Sequence, residues 1–413
     1  GWMPGDIKGA FLADTDATAL VGSGELVPSS FASWLTDQPT DTSVTESGGV
    51  ITISVNTTAN TGYPRASAPI SCIIGKTYRV SVSWANNTTG FWARIALGAS
   101  TGGTDIGTSA NTAASGSSTL TFVATAATQY LNIFAEQTNV GSFDVTIASQ
   151  SVKLADADRS VNNKGLVVNG TITRTAVATG AELVGYSGFS ATNFLEQPYN
   201  SALDFGTSDF SVMGWVNANT SANEAILWRE DIGAGGARFA VDLGSRKLRF
   251  ILENSVITSV SDVANGGWIH FACLRSGTNV FVYINGVLDQ TGTNSNNLDN
   301  SNAVLKIALR ENNSGVLING SLALIRISAT APSAAQIAKI YRDEKVLFQD
   351  GAACTLYGTS DAVTALAHDP VTDLLHVGTS AGRSVFDGLR RVSNTTVAVG
   401  TAISASNNLI VEE

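Results

Sequence analysis

Apolar and polar residues alternate along much of this chain with the two-residue period of half-buried β-strands. Val50-Ile-Thr-Ile-Ser-Val55, Thr77-Tyr-Arg-Val-Ser-Val-Ser-Trp84 and Ser118-Thr-Leu-Thr-Phe-Val123 carry the pattern, and Tyr130-Leu-Asn-Ile-Phe134 and Ser142-Phe-Asp-Val-Thr-Ile147 follow. Gly, Asn and Thr turns separate them, which is the cadence of a β-sandwich and predicts one over residues 25–155.

Farther along the pattern changes. Trp268 to Leu274 and Val280 to Ile284 are apolar on both faces, with Trp268, Ala272 and Leu274 on one side and Ile269, Phe271 and Cys273 on the other. A sheet built from such strands must be covered twice. Arg275-Ser-Gly-Thr-Asn279 separates the two runs as a hairpin, and Asn285-Gly286 supplies the positive φ angles of a tight turn into a third strand. These runs belong to a second sandwich over 201–344. It closes with Gly320–Ile327 and one short helix, where Ser333 and Gln336 form a capping-box pair and Ile337, Ile340 and Tyr341 share a face.

Three smaller pieces complete the layout. Residues 1–24 hold too few apolar side chains for a core of their own and should dock on something else, a neighbouring subunit being one option, with a flexible linker segment as the alternative. Residues 156–200 form a connector with a strand pair about Asn169-Gly170. Residues 345–413 form a β-hairpin-rich tail, in which two β runs flank Asp369-Pro370-Val-Thr-Asp373 like half of a propeller blade. One blade cannot bury its own faces, so its partners are expected from other copies of the chain. The fold class is all-β: two antiparallel jelly-roll sandwiches in tandem with a C-terminal oligomerisation tail.

Composition narrows the function. With 413 residues and 44% hydrophobic content the chain can bury two or three cores. A net charge of −10 offers no basic stripe to displace counterions from nucleic acid. No apolar run is long enough to span a bilayer and no signal-peptide pattern opens the chain, so membrane insertion is not expected. Cys72, Cys273 and Cys354 are odd in number and widely spaced, which suits buried thiols rather than a disulfide framework.

Phe210-Ser-Val-Met-Gly-Trp215-Val, Gly267-Trp268-Ile-His-Phe-Ala, Val282-Tyr-Ile-Asn-Gly286 and Ile325-Arg-Ile with Ala334 to Ile337 resemble laminin-G-like, concanavalin A-like jelly rolls. Val152-Lys-Leu-Ala-Asp-Ala-Asp-Arg159, Val177–Val184, Tyr186-Ser-Gly-Phe-Ser190 and Gly378–Phe386 are similar to tail-fibre or tail-tip proteins of bacteriophages. In these, a carbohydrate-binding-like sandwich precedes a lectin-like domain. That resemblance implies a homotrimer in the virion, contacts with other phage tail proteins, and attachment to bacterial surface polysaccharide or lipopolysaccharide. Two alternatives stay open, a structural spacer without ligand and a depolymerase with an inter-subunit site. A secreted adhesin is a further, non-viral possibility.

Chemistry is sparse. Glycoside hydrolysis needs two carboxylates facing each other, and Glu230-Asp231, being adjacent, point to opposite faces of a strand. His270, His368 and His376 have no zinc-ligand spacing, and neither a nucleophile elbow nor a phosphate loop is present. No enzymatic activity and no required cofactor are expected.

Sugar sites combine an aromatic platform with Asp, Asn or Arg groups. Trp84, Asn86, Asn87, Phe91, Trp92 and Arg94 offer that set about one turn of the first sandwich, with Trp84 and Trp92 open to a second reading as core residues. In the second sandwich Trp228, Arg229, Arg310 and Asn312 are the rim candidates. Calcium also stays open, with Asp231, Asp242 and Asn312 as its candidate ligands.

Overall fold

The computed structural model describes residues 5–28, 30–37, 42–47, 50–55, 64–86, 91–109, 116–137, 143–231, 237–310, 316, 319–360 and 362–412. The architecture is nearly all-β, divided between two compact units. One holds 21–171 with 195–197; the other holds 1–20, 172–194 and 198–413.

The first unit contains two antiparallel sheets. In one, Gly116–Val123, Thr77–Asn86 and Phe143–Asp156 lie side by side, and Val50–Val55 bridges Phe143–Asp156 to Thr42–Ser47. The other runs Leu35–Asp37, Arg65–Ser71, Thr128–Gln137, Phe91–Gly98, Gly107–Thr108. Alternation puts Tyr78, Val80, Val82 and Trp84 on the buried side of their strand, while Ala66, Ala68, Ile70, Leu131 and Ile133 do the same in the other sheet.

The second unit is a jelly-roll-like sandwich. Phe210–Ala218 sits centrally in one sheet between Gly320–Ser328 and Trp268–Ser276, and Asn279–Ile284 and Val287–Thr293 continue it. The facing sheet within this unit runs Ala303–Ile307, Glu224–Asp231, Ala237–Gly244, Lys247–Leu252, Ser255–Asp262. Phe210 projects into the core, stacked on Phe205 at 4.8 Å between ring centroids and tilted against Phe239 at 5.3 Å. The expected Asn285-Gly286 turn is present, with φ of 49° and 79°.

The doubly apolar strands acquire their two covers. Phe271 and Cys273 face the core, whereas Met213, Ala272, Leu274 and Tyr283 pack against Ile337 and Ile340 of the helix Ala334–Lys345. Ser333 caps that helix in the reciprocal arrangement with Gln336. Beneath its C-terminal end, Trp215 stacks on Phe348 at 4.2 Å and its Nε1–H donates to Glu344 Oε2 at 2.7 Å. Arg326 binds the other oxygen of the same carboxylate. Glu344 has no exposed surface, so the triad closes on itself.

Both end segments find partners within the chain, where the tail hairpin was expected to need other copies. The N-terminal segment docks within its own chain: Ile7–Phe11 pairs with Gly320–Ser328, burying Phe11 and Leu12. The tail hairpin likewise finds its partners in cis, because Gly382–Asp387 and Arg390–Thr395 extend Val363–Asp369 and Leu374–Thr379 into a four-stranded sheet. A last hairpin, Ile403–Ser406 with Leu409–Glu412, is tied down by Asp369, whose carboxylate accepts the N–H groups of Asn407 and Asn408 at 2.9 Å each. Among the described residues, no helix is long and apolar enough to cross a membrane.

Candidate functional site

Two loops at one end of the second unit's sandwich are rich in residues that turn the chain with their own side chains. In the stretch Asn294-Ser-Asn-Asn-Leu-Asp-Asn-Ser-Asn302, the Oδ1 atoms of Asn294, Asn297 and Asn300 each accept the N–H two residues on, at 3.1, 3.0 and 2.8 Å. Asn200 does the same for Ala202 at 3.1 Å, opening a short 3₁₀ turn over Ser201–Leu203. These local bonds shape each loop but do not bring the two together.

Two arginines from apolar strands do that, and both are fully buried. Arg229 bonds Asp204 in the first loop, and Leu298 O at 3.2 Å and Asn300 O at 3.4 Å in the second. Arg275 donates to Gly206 O at 2.7 Å and Ser208 O at 2.8 Å on one side, and to Asn296 O at 2.9 Å on the other. Burial pulls both guanidinium pKa values down, while the Asp204 carboxylate works against this at Arg229. Gly206 N–H completes the splice on Asp299 Oδ1.

An open depression of about 410 Å³ lies between the loops, lined by Tyr199, Asp204, Asp299, Asn300, Ser301 and Asn302. Tyr199 is 40% exposed, and its hydroxyl donates to Asp204 Oδ2 at 2.6 Å, which raises the phenol's pKa. Asp204 is saturated, since its other oxygen takes Arg229 and the Asn300 N–H at 3.2 Å. Asp299 Oδ2 and the side chains of Ser301 and Asn302 carry no hydrogen bond among the described residues, and all three residues are exposed. The depression therefore offers one aromatic face beside unspent acceptors and donors. A shallow mixed surface of this kind suits a hydroxylated ring, whose apolar face and polar rim it can meet together.

The candidates read from the sequence scatter. Trp228 and Arg229 are neighbours in one strand and point to opposite faces, so only Arg229 reaches the depression, as its buried strut. Trp228 is 8% exposed, with its Nε1–H on Glu230 Oε2 at 2.6 Å and the Arg310 guanidinium 4.5 Å above its ring. Asp231 reaches the rim only from behind, accepting from Asn300 Nδ2 at 2.7 Å. Asp242 has no exposed surface and is clamped by Arg249 at 2.6 and 2.7 Å and Arg310 at 2.8 Å. Burial nevertheless raises its pKa overall. Two guanidinium groups on both oxygens leave Asp242 nothing to offer a cation. Among the described residues no three His, Cys, Asp or Glu side chains gather as a metal site, and Asn312 lies outside the described residues.

In the first unit Trp84 is 3% exposed and occupies the inward row with Val80 and Val82, which places it in the core reading. Arg94 lies over the Phe134 ring at 4.7 Å. Asn86, Phe91 and Trp92 stand in strands, with Trp92 opposite Glu136 in register, but their side chains and all of Asn87 lie outside the described part. Tyr199, Asp204, Asp299 and Arg275 went unsingled in the sequence. One signal was present, the five asparagines within Asn294–Asn302; Arg275 falls within the expected hairpin connection, whereas the strand continues through it to Ser276.

Comparison with known proteins agrees on the sandwich. A family model described as the concanavalin A-like lectin/glucanases superfamily, of the laminin G type, matches residues 191–338, so the chain carries a concanavalin A-like lectin domain there. No curated protein matches the chain. Among solved structures, the binding domain of Paraclostridial Mosquitocidal Protein 1 is 12% identical with a TM-score of 0.39, covering 55% of this chain and 62% of that one. The receptor binding domain of a botulinum neurotoxin C/D mosaic serotype is 12% identical with a TM-score of 0.38, covering 56% of this chain and 59% of that one. Domain 4 of AbnA, an extracellular arabinanase from Geobacillus stearothermophilus in complex with arabinotriose, is 20% identical with a TM-score of 0.34, covering 45% of this chain and 92% of that one. The chain thus spans about three fifths of the two toxin domains. At such identities and TM-scores these likenesses bear on neither ligand nor activity.

Proposed function

We propose that this chain is a non-enzymatic, glycan-binding segment of a bacteriophage tail fibre or tail tip, which attaches the virion to bacterial surface polysaccharide or lipopolysaccharide. One observation carries the binding part: the exposed Tyr199 ring stands beside the unspent Asp299, Ser301 and Asn302 groups on a lectin-like sandwich. The virion part is supported by the sequence phrases over 152–190 and 378–386. Self-association, as a homotrimer among other tail proteins, is supported by apolar side chains left open near the C-terminus, where Val397, Leu409 and Val411 are 67%, 75% and 67% exposed. Multivalent display would then raise weak single-site binding by roughly 10² to 10⁴. The reading needs no cofactor; a calcium contribution would appear as binding lost to a chelator.

Retention of the purified chain on immobilised bacterial lipopolysaccharide and capsular polysaccharide tests this. The wild type is expected to bind, and Tyr199→Ala to bind at least roughly tenfold more weakly, from loss of the aromatic platform. Equal retention of both proteins would remove the site, and absence of retention on every polysaccharide would leave the chain a spacer. Shortened polysaccharide after incubation would make it an enzyme. Sedimentation of the intact chain as a monomer would defeat the trimer.

A further inference from the structure

The depression carries an uneven charge, and its consequence for ligand choice rests on the glycan-binding reading above. Of its six lining residues two are carboxylates, Asp204 and Asp299, and none is Lys or Arg. The cations that built the rim are not available to a ligand. Arg229 is spent on Asp204 and two carbonyls, with 1% of its side chain exposed. Arg275, wholly buried, is spent on the carbonyls of both loops. Asp204 is paired, so the carboxylate that faces solvent is that of Asp299, whose Oδ2 is open and whose Oδ1 is anchored on Gly206 N–H, while the Arg229 and Arg275 charges that it feels lie buried behind the rim.

We infer that the Tyr199–Asn302 depression takes a neutral hexose and rejects sugars bearing carboxylate or phosphate. A neutral pyranose can lay its apolar face on Tyr199 and donate a hydroxyl to Asp299 Oδ2, a charge-assisted bond of the stronger kind. Ser301 and the Asn302 amide can serve the neighbouring hydroxyls, because each both donates and accepts. A sialic acid, uronate or phosphorylated sugar in the same place sets its own anion against Asp299, well inside the screening length of about 8 Å at physiological salt. It meets no guanidinium that could take it in return. Like-charge juxtaposition of this kind works as exclusion of the wrong partner.

Calorimetric titration of the full chain with matched pairs of oligosaccharides decides the matter: lactose against sialyllactose, and glucose oligomers against glucuronate oligomers. The neutral member of each pair is expected to bind at least roughly tenfold tighter. Its affinity should hardly change from low to high salt. Asp299→Asn keeps an acceptor for Gly206 N–H and removes the charge, so it should narrow the preference; Asp299→Lys should reverse it. Equal or tighter binding of the anionic members by the wild type would overturn the inference, as would a preference unmoved in Asp299→Lys. Absence of binding to either class overturns the glycan-binding reading along with it, an outcome distinct from binding of the wrong class.

Discussion

The same chemical triad occurs twice in the second unit, once sealed and once open. Under the helix, Trp215 donates to Glu344, which pairs with Arg326; at the rim, Tyr199 donates to Asp204, which pairs with Arg229. Each arrangement has an aromatic donor, a carboxylate acceptor and a guanidinium behind it. What differs is the cover. Trp215 lies between Phe348 and Tyr341 and is 2% exposed, whereas Tyr199 is 40% exposed with no ring stacked on it among the described residues. A polar triad of this kind can thus cement a core or hold up a platform, and neighbouring apolar groups decide which.

The comparison predicts unequal costs for equal deletions. Glu344→Ala leaves the buried Arg326 charge and the Trp215 N–H without their acceptor and is expected to destabilise the unit by about 3–5 kcal/mol, measured by urea unfolding. A loss below about 1 kcal/mol would mean that the triad is not sealed.

Acid should attack the sealed region next. His270 packs between Trp215 and Tyr341, neither ring nitrogen has a hydrogen-bond partner among the described residues, and burial, with help from Arg326, lowers its pKa to about 3. The unfolded chain takes up that proton near the ordinary histidine value of about 6.5, the folded chain only near 3. Between these values the unfolded state binds more protons, so stability falls as pH falls through that window and is recovered as pH rises. The total is on the order of 5 kcal/mol, and His270→Phe should flatten the slope. A slope unchanged in that variant would move the acid sensitivity to another group.

Removing one hydroxyl should have the smallest effect. Tyr199→Phe keeps the ring and exchanges its hydrogen bond to Asp204 for water, so both stability and sugar affinity are expected to change by less than about 1 kcal/mol. Calorimetry showing a loss as large as that of Tyr199→Ala would shift the binding role from the ring to the hydroxyl.

Legibility differed in the same way between the two regions. The two-faced apolarity of Trp268–Leu274 demanded a second cover, and the capping box at Ser333 marked the helix that provides it. Periodicity reports burial on each face, and both faces were encoded locally. The site was not local. Tyr199 and Asn302 are about a hundred positions apart, and what joins their loops is the geometry of Arg229 and Arg275, whose reach depends on the sheet already being formed. Trp228 looked equivalent to Arg229 in the sequence because one position separates them; strand alternation sent them to opposite faces.

By itself the sequence determined the class of fold, strands with a clear period such as Thr77–Trp84 and Trp268–Leu274, the Asn285-Gly286 turn, and a short helix with its cap, because each follows from neighbours within a few residues. Tertiary structure decided which aromatic rings were left uncovered, which carboxylates were already spent, and that both the N-terminal strand and the tail hairpin find partners in their own chain. Those outcomes depend on hydrogen bonds and packing between segments far apart in sequence, where no local period can register them.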